Sequence, residues 1–273
     1  MNFTSIRRKN TCLINVSNQI NKGFFYLFII PVILLNSFVY NFSFGQMEYA
    51  IRLRRVHPLF FLLLLLAISC APSRFVKPLE KGQKAINVHL GGPLIGFAGT
   101  TIPIPFTSVT GGYGLKENLT VFASIHTTAL AFRVFETDIG IVKQLMAQKG
   151  YAPAITITPV INMAFDGWEY NFKFWPQIDI NAYWHYKQKR NFFYIGLGNW
   201  FELSTNKAHN EKQLVHWIYN PHLGHTFVRN KWDYNLEVKY LAPTTERTPN
   251  VVDYKGFGST GAVGVYFSVT RKF

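Results

Sequence analysis

Hydrophobic and polar residues alternate one by one along most of the chain after residue 83. Between Trp232 and Tyr240, aromatic and aliphatic side chains hold every second position, and Asp, Asn, Glu and Lys hold the positions between them. Successive side chains of a β-strand point to opposite faces, so this pattern predicts strands with one apolar and one polar face. The same test predicts ten strands, over residues 84–90, 107–115, 119–128, 135–146, 154–165, 177–187, 192–203, 217–227, 232–240 and 257–270. A short helix is the alternative over 135–146, where apolar residues also recur at helical spacing.

Short polar segments connect several of these strands, as they do in antiparallel hairpins. They lie at residues 116–118, 148–150, 187–191 and 229–231, and longer connections at 204–214 and 242–253 alternate with them. Neighbouring hairpins joined in this way form an up-and-down meander. The predicted fold class is therefore all-β: a single antiparallel up-and-down transmembrane β-barrel of about 10 strands, with about 8 to 12 as the range.

The composition of the polar faces decides whether the apolar faces turn inward, as in a soluble barrel, or outward, as in a membrane barrel. Charged residues are only 15% of the chain, whereas aromatic residues are 16% and hydrophobic residues 48%. The polar faces carry mainly Asn, Thr, Ser, Gly, Ala and His, which suits a narrow lumen better than a surface in water. We therefore expect the apolar faces to contact lipid, with the six tryptophans mostly at strand ends as an aromatic girdle.

Residues 51–70 have the pattern of an export signal. Three arginines between positions 52 and 55 precede an apolar run over 59–68. At about 10 residues, this run is too short to cross a bilayer as a helix. It ends in the segment Leu66-Ala67-Ile68-Ser69-Cys70, which resembles the lipobox of bacterial lipoproteins. The resemblance implies that Cys70 carries the lipid anchor and becomes the mature N-terminus; cleavage without lipidation is the alternative.

A second basic and apolar stretch precedes Met47, with basic residues at 7–9 and an apolar run over 24–35. Two export signals in series make little sense, and a chain that starts at Met47 has a signal of ordinary length. Residues 1–46 are therefore expected to be an over-extended N-terminus, with an inner-membrane helix over 24–44 as the alternative. The expected organisation has four parts: 1–46 as this extension, 47–69 as the signal peptide, 70–83 as a periplasmic N-terminal tether and 84–273 as the outer-membrane β-barrel.

The end of the chain adds a further resemblance. Phe273 closes an alternating segment, and this resembles the C-terminal signal by which the assembly machinery recognises bacterial outer-membrane proteins. Together with the export signal and Cys70, it makes the chain similar in architecture to outer-membrane β-barrel lipoproteins of Gram-negative bacteria. The resemblance implies a barrel inserted in the outer membrane, anchored by lipid at Cys70, with outer-membrane lipid and, through Phe273, the barrel assembly machinery as partners. It names no substrate.

The net charge of +14 gives no reason to expect a nucleic-acid partner. Without residues 1–69, 21 basic and 13 acidic residues remain, and they form no Lys/Arg block. The histidines give no reason to expect a metal or another cofactor. His216 and His222 share a predicted face but lie about 20 Å apart along a strand, and His225 lies on the opposite face. Lumen carboxylates are instead expected to form ion pairs, in a network of Asp179, Asp233, Glu237 and Lys239.

Three residues have the right chemical types for hydrolysis. Ser124, His126 and Glu136 could serve as nucleophile, base and orienting carboxylate. No G-x-S-x-G, H-E-x-x-H or Walker pattern accompanies them, so no catalytic residue is assigned. The expected function is a structural role or a narrow conduit for a small, unidentified solute. The alternatives are a barrel enzyme acting on envelope lipid or peptide, and a lipid-tethered soluble β-barrel that binds an apolar ligand. The directions of Trp184 and Leu236 separate a membrane barrel from a soluble one.

Overall fold

The computed structural model describes residues 74–273 except residues 98, 169, 187–189, 207–211 and 248–251. Cys70 and the predicted segments 1–46 and 47–69 lie outside the described residues. The strands are β1 Lys84–Phe97, β2 Thr100–Pro103, β3 Phe106–Lys116, β4 Leu119–His126, β5 Val134–Met146, β6 Ala154–Asp166, β7 Phe172–Tyr186, β8 Asn191–Phe201, β9 Trp217–Val228, β10 Trp232–Glu246 and β11 Thr260–Lys272, with a short helix α1 Thr127–Ala131. Among these residues, no helix is long and apolar enough to span a bilayer.

Ten of the strands form a closed antiparallel barrel. Apart from β2, each strand pairs with its neighbours along the chain, and β11 returns to pair with β1 from Ala85↔Lys272 to Pro93↔Gly264. The exception, β2, lies outside the ring and pairs with Leu94–Phe97 at the end of β1. Closure leaves the ring without an edge strand, which is what a sheet surrounded by hydrocarbon requires. The predicted up-and-down barrel of about ten strands is confirmed.

The two ends of the barrel differ in their connections. At one end, which we call the turn end, the strands are joined at 117–118, 147–153, 187–190 and 229–231, and the barrel strand β11 ends there. At the other, the loop end, the connections are 98–105, 127–133, 167–171, 202–216 and 247–259. Three of the four turn-end connections have two to four residues and the fourth has seven, whereas the loop-end connections have five to fifteen. Shorter connections at one end are typical of outer-membrane barrels.

The apolar faces of the strands point outward. Ile180 and Leu236 are 44% and 50% exposed, whereas Glu237, the neighbour of Leu236 on β10, is 3% exposed. Trp184 stacks on Phe193, an exposed residue of the neighbouring strand, with ring centroids 5.2 Å apart. Because Trp184 and Leu236 both lie on the outer surface, the membrane barrel is confirmed and the soluble barrel with an apolar interior is wrong.

The predicted strand boundaries fail mainly at the loop end. There β1 continues to residue 97, β7 begins at 172, β10 continues to 246 and β11 begins only at 260. Residues 127 and 128, predicted as strand, begin α1, and the alternative helix over 135–146 is wrong because this segment is β5. The alternation arises where lipid covers one face and the lumen the other, so it fades where strands extend beyond the bilayer.

Two adjacent glycines let β1 change partners along its length. The strand pairs with β3 as far as Gly91 and with β2 from Leu94 onward. Gly91 has a φ of +140°, and a Cβ atom there would overlap the Val265 carbonyl of β11. Glycine is therefore needed where β1 bends and stays close to its neighbour.

Candidate functional site

Residues 74–80 lie inside the barrel, and we call this segment the plug. It runs from Arg74 in the centre of the lumen to Glu80 at the turn end, and it is the first part of the predicted tether that the structure describes. Phe75 and Leu79 are buried with lumen-facing Phe122, Val142 and Val160. On the other side, Val76 is buried with Ala154, Tyr183, Phe192 and Tyr194. Backbone contacts hold the plug as well: the Leu79 N–H donates to Thr120 Oγ1 at 2.7 Å, and Thr156 Oγ1 donates to the Val76 carbonyl at 2.9 Å.

The wall has a notch that receives the plug. Gly112 of β3 faces the lumen, and a Cβ atom there would lie 2.7 Å from the Phe75 ring and 3.2 Å from the Leu79 side chain. The Phe75 ring also packs edge-on against Phe122, with centroids 6.3 Å apart. The absence of a side chain on β3 therefore allows two apolar residues of the plug to pack against a lumen that is otherwise polar.

Arg74 leads the plug into the centre of the lumen. Its guanidinium donates to Asn162 Oδ1 at 2.9 Å and to Asp138 Oδ2 at 3.2 Å, and lies 3.8 Å from Asp179 Oδ2. These three partners belong to β5, β6 and β7, so one side chain connects three strands. Only 5% of the Arg74 side chain is exposed. A buried ion pair of this kind is costly to break, because removal of one partner leaves the other charge without compensation.

The three residues predicted as candidate catalytic groups do come together, but around a fourth residue, Asp138. The Ser124 hydroxyl donates to Asp138 Oδ1 at 2.9 Å, and His126 Nε2 donates to Asp138 Oδ2 at 2.8 Å. Glu136 Oε1 lies 3.8 Å from His126 Nδ1. A nucleophilic serine must direct its proton to the histidine base, whereas Ser124 directs its proton to a carboxylate. The arrangement is therefore a hydrogen-bonded network that fills the lumen and not a catalytic triad.

One predicted ion pair is present, and the other two predicted carboxylates pair with residues outside the predicted network. Glu237 pairs with Lys239 at 3.1 Å, as predicted, and also accepts a hydrogen bond from the Tyr194 hydroxyl at 2.7 Å. Asp179 instead pairs with Arg74 of the plug, and Asp233 pairs with Lys272 at the turn end at 2.8 Å. The prediction missed Arg74 because it considered strand residues only, and it missed Lys272 because it had no cross-strand register and ended the last strand at residue 270.

The described residues line a cavity in each half of the lumen. The larger, which we call the vestibule, has a volume of about 330 Å³ and lies in the loop-end half. The smaller, of about 130 Å³, lies beside the plug in the turn-end half and is lined by Asp233, Asn235 and Lys272 among others. Arg74 lines both cavities. Its ion-paired side chain therefore stands where a solute would pass from one cavity to the other.

Two tryptophans line the vestibule and do not belong to the predicted girdle. Trp175 of β7 and Trp200 of β8 stack inside the lumen with ring centroids 5.3 Å apart. Exposed tryptophans at both ends of the barrel fit the girdle prediction: Trp168 and Trp217 at the loop end, and Trp232 at the turn end. Trp175 could have been assigned correctly, because it occupies the same parity as Gln177 and Asp179, whose positions lie on the polar face.

The histidines of β9 lie as the alternation predicts. His222 faces the lumen, where its Nε2 lies 2.7 Å from Asn181 Oδ1, while His225 has the opposite parity and packs against Tyr186 and Phe227. His216 precedes the strand, and its Nδ1 donates to the Glu202 carbonyl at 2.8 Å. Over the described ranges, no three His, Cys, Asp or Glu side chains come close enough to hold a metal ion.

No protein-family model matches the chain, and no curated protein matches it either. Among solved structures, it is similar to the translocator domain of the autotransporter NalP from Neisseria meningitidis, with 9% identity and a TM-score of 0.42 over 72% of this chain and 91% of that one. It is also similar to an outer membrane channel from Pseudomonas putida F1, with 10% identity and a TM-score of 0.41 over 75% of this chain and 100% of the channel. The outer membrane protein OprG from Pseudomonas aeruginosa is 12% identical, with a TM-score of 0.29 over 73% of this chain and 99% of that one. The closed ring and the apolar exterior of the chain show a transmembrane type of β-barrel without these comparisons.

Proposed function

We propose that the protein is a non-enzymatic outer-membrane conduit for small solutes, held closed by the plug. The observation that carries the proposal is the pair of lumen cavities with Arg74 between them. A barrel of this size has a lumen that side chains can almost fill, so seven additional residues are enough to obstruct it. A purely structural barrel needs no vestibule, whereas a conduit needs a space at each side of its narrowest point.

The proposed orientation follows from the connections. The turn end, which also receives the plug, faces the periplasm, and the loop end faces the exterior. Phe273, beyond the last residue of β11, is then positioned for recognition by the barrel assembly machinery from the periplasmic side. A chain whose Phe273 is removed should accumulate unfolded in the periplasm, which its heat-modifiable migration on gels would report.

Lipidation of Cys70 is part of the same proposal. Cys70 precedes Arg74 by four residues, and four residues span at most about 14 Å when extended. Because Arg74 lies in the centre of the lumen, a lipid on Cys70 in the periplasmic leaflet would require residues 70–73 to lead back from there to the turn end. Metabolic labelling with a radioactive fatty acid should label the wild type and leave Cys70→Ala unlabelled. Equal labelling, or none in either chain, contradicts the anchor while leaving the conduit intact.

Conductance across a planar lipid bilayer tests the conduit. We expect little current through the full chain and stepwise openings through a variant in which residues 74–80 are replaced by Gly and Ser. Arg133→Ala is a matched control, because it removes an arginine that lies over Trp168 at the loop end, 4.6 Å from the ring. Heat-modifiable migration confirms that each variant has folded. A folded plug variant that conducts no better than the wild type refutes the proposal.

A further inference from the structure

We infer that the vestibule binds a small organic cation with an apolar body, of the size of a one-ring ammonium compound. The inference rests on the proposed function only in that it names the class of solute that would enter the conduit. Three properties of the vestibule carry it: its size, its aromatic and aliphatic lining, and the excess of carboxylates around its floor.

The size and lining of the vestibule fit an apolar solute. A volume of about 330 Å³ is at the lower end of the range for ligand sites, which selects a molecule with about one ring. Most of the wall is apolar, and it includes the following residues: Phe106, Trp175, Trp200, Ile218, Leu241 and Tyr254. The stacked pair of tryptophans gives one side of the cavity a broad and rigid apolar surface, which favours a flat hydrocarbon body.

The charges at the floor favour a cation. Two carboxylates, Glu136 and Asp179, line the floor together with the two cations Arg74 and Lys239, and each cation also contacts a buried carboxylate behind the wall, Arg74 with Asp138 and Lys239 with Glu237. The four carboxylates are Glu136, Asp138, Asp179 and Glu237. With the histidines neutral, the cluster has two more negative than positive charges, and protonation of His126 between Glu136 and Asp138 still leaves an excess. Charge of one sign in a low-dielectric cleft attracts the opposite charge and excludes the same one.

Glu136 is the carboxylate placed to contact the solute. Its side chain is 13% exposed and lines the vestibule, whereas the side chains of Asp138 and Glu237 are 0% and 3% exposed. The other carboxylate that lines the vestibule, Asp179, already lies 3.8 Å from the Arg74 guanidinium, so Glu136 is the carboxylate we assign to the ammonium group. A hydrogen bond between an ammonium and a carboxylate is stronger than one between neutral groups. The free-energy cost of removing water from the carboxylate is lowest where the carboxylate is already held in a partly exposed position.

The test is binding of three one-ring probes of similar size to the full chain in detergent micelles. Isothermal titration calorimetry compares benzylammonium, benzyl alcohol and benzoate. We expect benzylammonium to bind at least about tenfold more tightly than the neutral alcohol, and benzoate to bind most weakly. Equal binding of the three probes, preference for benzoate, or no binding of benzylammonium each overturns the inference. None of these results affects the conductance test, so the two proposals can fail separately.

Three variants locate the charge. Glu136→Gln should weaken benzylammonium binding by roughly tenfold with little effect on benzyl alcohol. Asn220→Asp should strengthen it, because the new carboxylate still accepts the Ala242 N–H that Asn220 Oδ1 accepts at 3.0 Å and adds a negative charge to the vestibule wall. Glu202→Gln is the matched control, since it removes a carboxylate that Lys173 already neutralises at 2.6 Å outside the vestibule. If Glu202→Gln weakens binding as much as Glu136→Gln does, the charge acts at long range and the assigned site is wrong.

Discussion

The two halves of the lumen are built from the same ten strands, but one is filled by the plug and the other holds a cavity. In the turn-end half, the inward-facing side chains include Phe122, Val142 and Val160, and the apolar plug residues pack against them. In the loop-end half, the floor of charged groups and the aromatic wall leave a cavity of about 330 Å³. The first half is closed by packing within the chain, while the second remains available to a solute.

The difference shows that the polarity of the inward-facing residues indicates whether water or another segment of the chain fills that part of the lumen. A lumen filled with water has polar side chains at every inward position of its strands. Where inward positions become apolar, burial against another apolar surface stabilises the fold, and here that surface is Phe75, Val76 and Leu79. An interruption of the alternation on the polar face therefore marks the place where an internal segment packs.

Removal of Arg74, the cation between the two cavities, should have the largest effect on stability. Arg74→Ala should lower the free energy of unfolding by about 3–5 kcal/mol, because Asp138 and Asp179 then lose their buried cation. Urea unfolding of the full chain in micelles measures the loss, and the bilayer current should rise in the same variant. A loss below about 1 kcal/mol would indicate that water or another cation replaces Arg74 freely.

Removal of the largest apolar contact of the plug should have the next largest effect. Phe75→Ala should cost about 2–4 kcal/mol of stability, because a buried ring that contacts Phe122 is deleted. Ile139→Ala is the matched control: Ile139 is an exposed residue of the outer face, where lipid replaces the deleted methyl groups. If both variants lose equal stability, the plug residue contributes no more than a lipid-facing one does.

A side chain added at the notch in the wall tests the packing of the plug at a single position. Gly112→Ala adds a methyl group 2.7 Å from the Phe75 ring, which should cost about 1–3 kcal/mol by overpacking. Combined with Phe75→Leu, the same change should cost clearly less than the sum of the two single variants, since the smaller side chain can move aside. Strict additivity in this double-mutant cycle would show that the methyl group and the ring do not meet.

The wall of the barrel could be predicted from the sequence, because lipid and lumen impose a period of two on every strand. Ten predicted strands correspond to the ten strands of the ring, and the directions of Ile180, Leu236 and Glu237 agree with their parity. The contents of the lumen could not be predicted to the same degree. Arg74 meets Asp138 and Asp179 through contacts 64 and 105 positions apart, and no local pattern encodes such distant partners.

One part of the interior did leave a signal in the sequence. Phe122 and Val142 occupy inward parity, and they interrupt polar faces that contain Thr120, Ser124 and Asp138. The plug residues themselves, Phe75 to Leu79, form no alternating pattern, so the sequence supports a linker as readily as a buried segment. These apolar inward positions predict that a segment covers them, but they do not predict which one, since any apolar piece of chain could do so.

The smallest expected effect lies at the rim of the loop end, outside the membrane-spanning strands. Partial burial raises the pKa of Glu202, but the Lys173 ammonium at 2.6 Å and the Ser204 N–H outweigh it, so the pKa lies below its ordinary value of 4.5. A carboxyl group whose pKa is lowered in the folded state stabilises the fold above its unfolded pKa and loses that contribution as the pH falls through the folded value.

Because 43% of the Lys173 side chain is exposed and water screens the pair, this contribution should amount to only about 0.2–1 kcal/mol. The difference in unfolding free energy between wild type and Glu202→Gln should therefore be small at neutral pH and should shrink as the pH falls below about 4.5. Urea unfolding at several pH values measures it, with high salt as a second condition that should also reduce the difference. A difference that grows on acidification would mean that the Glu202 carboxylate is destabilising in the folded barrel. In that case Glu202→Gln would no longer be a neutral control, and the assignment of the vestibule charge would rest on Asn220→Asp.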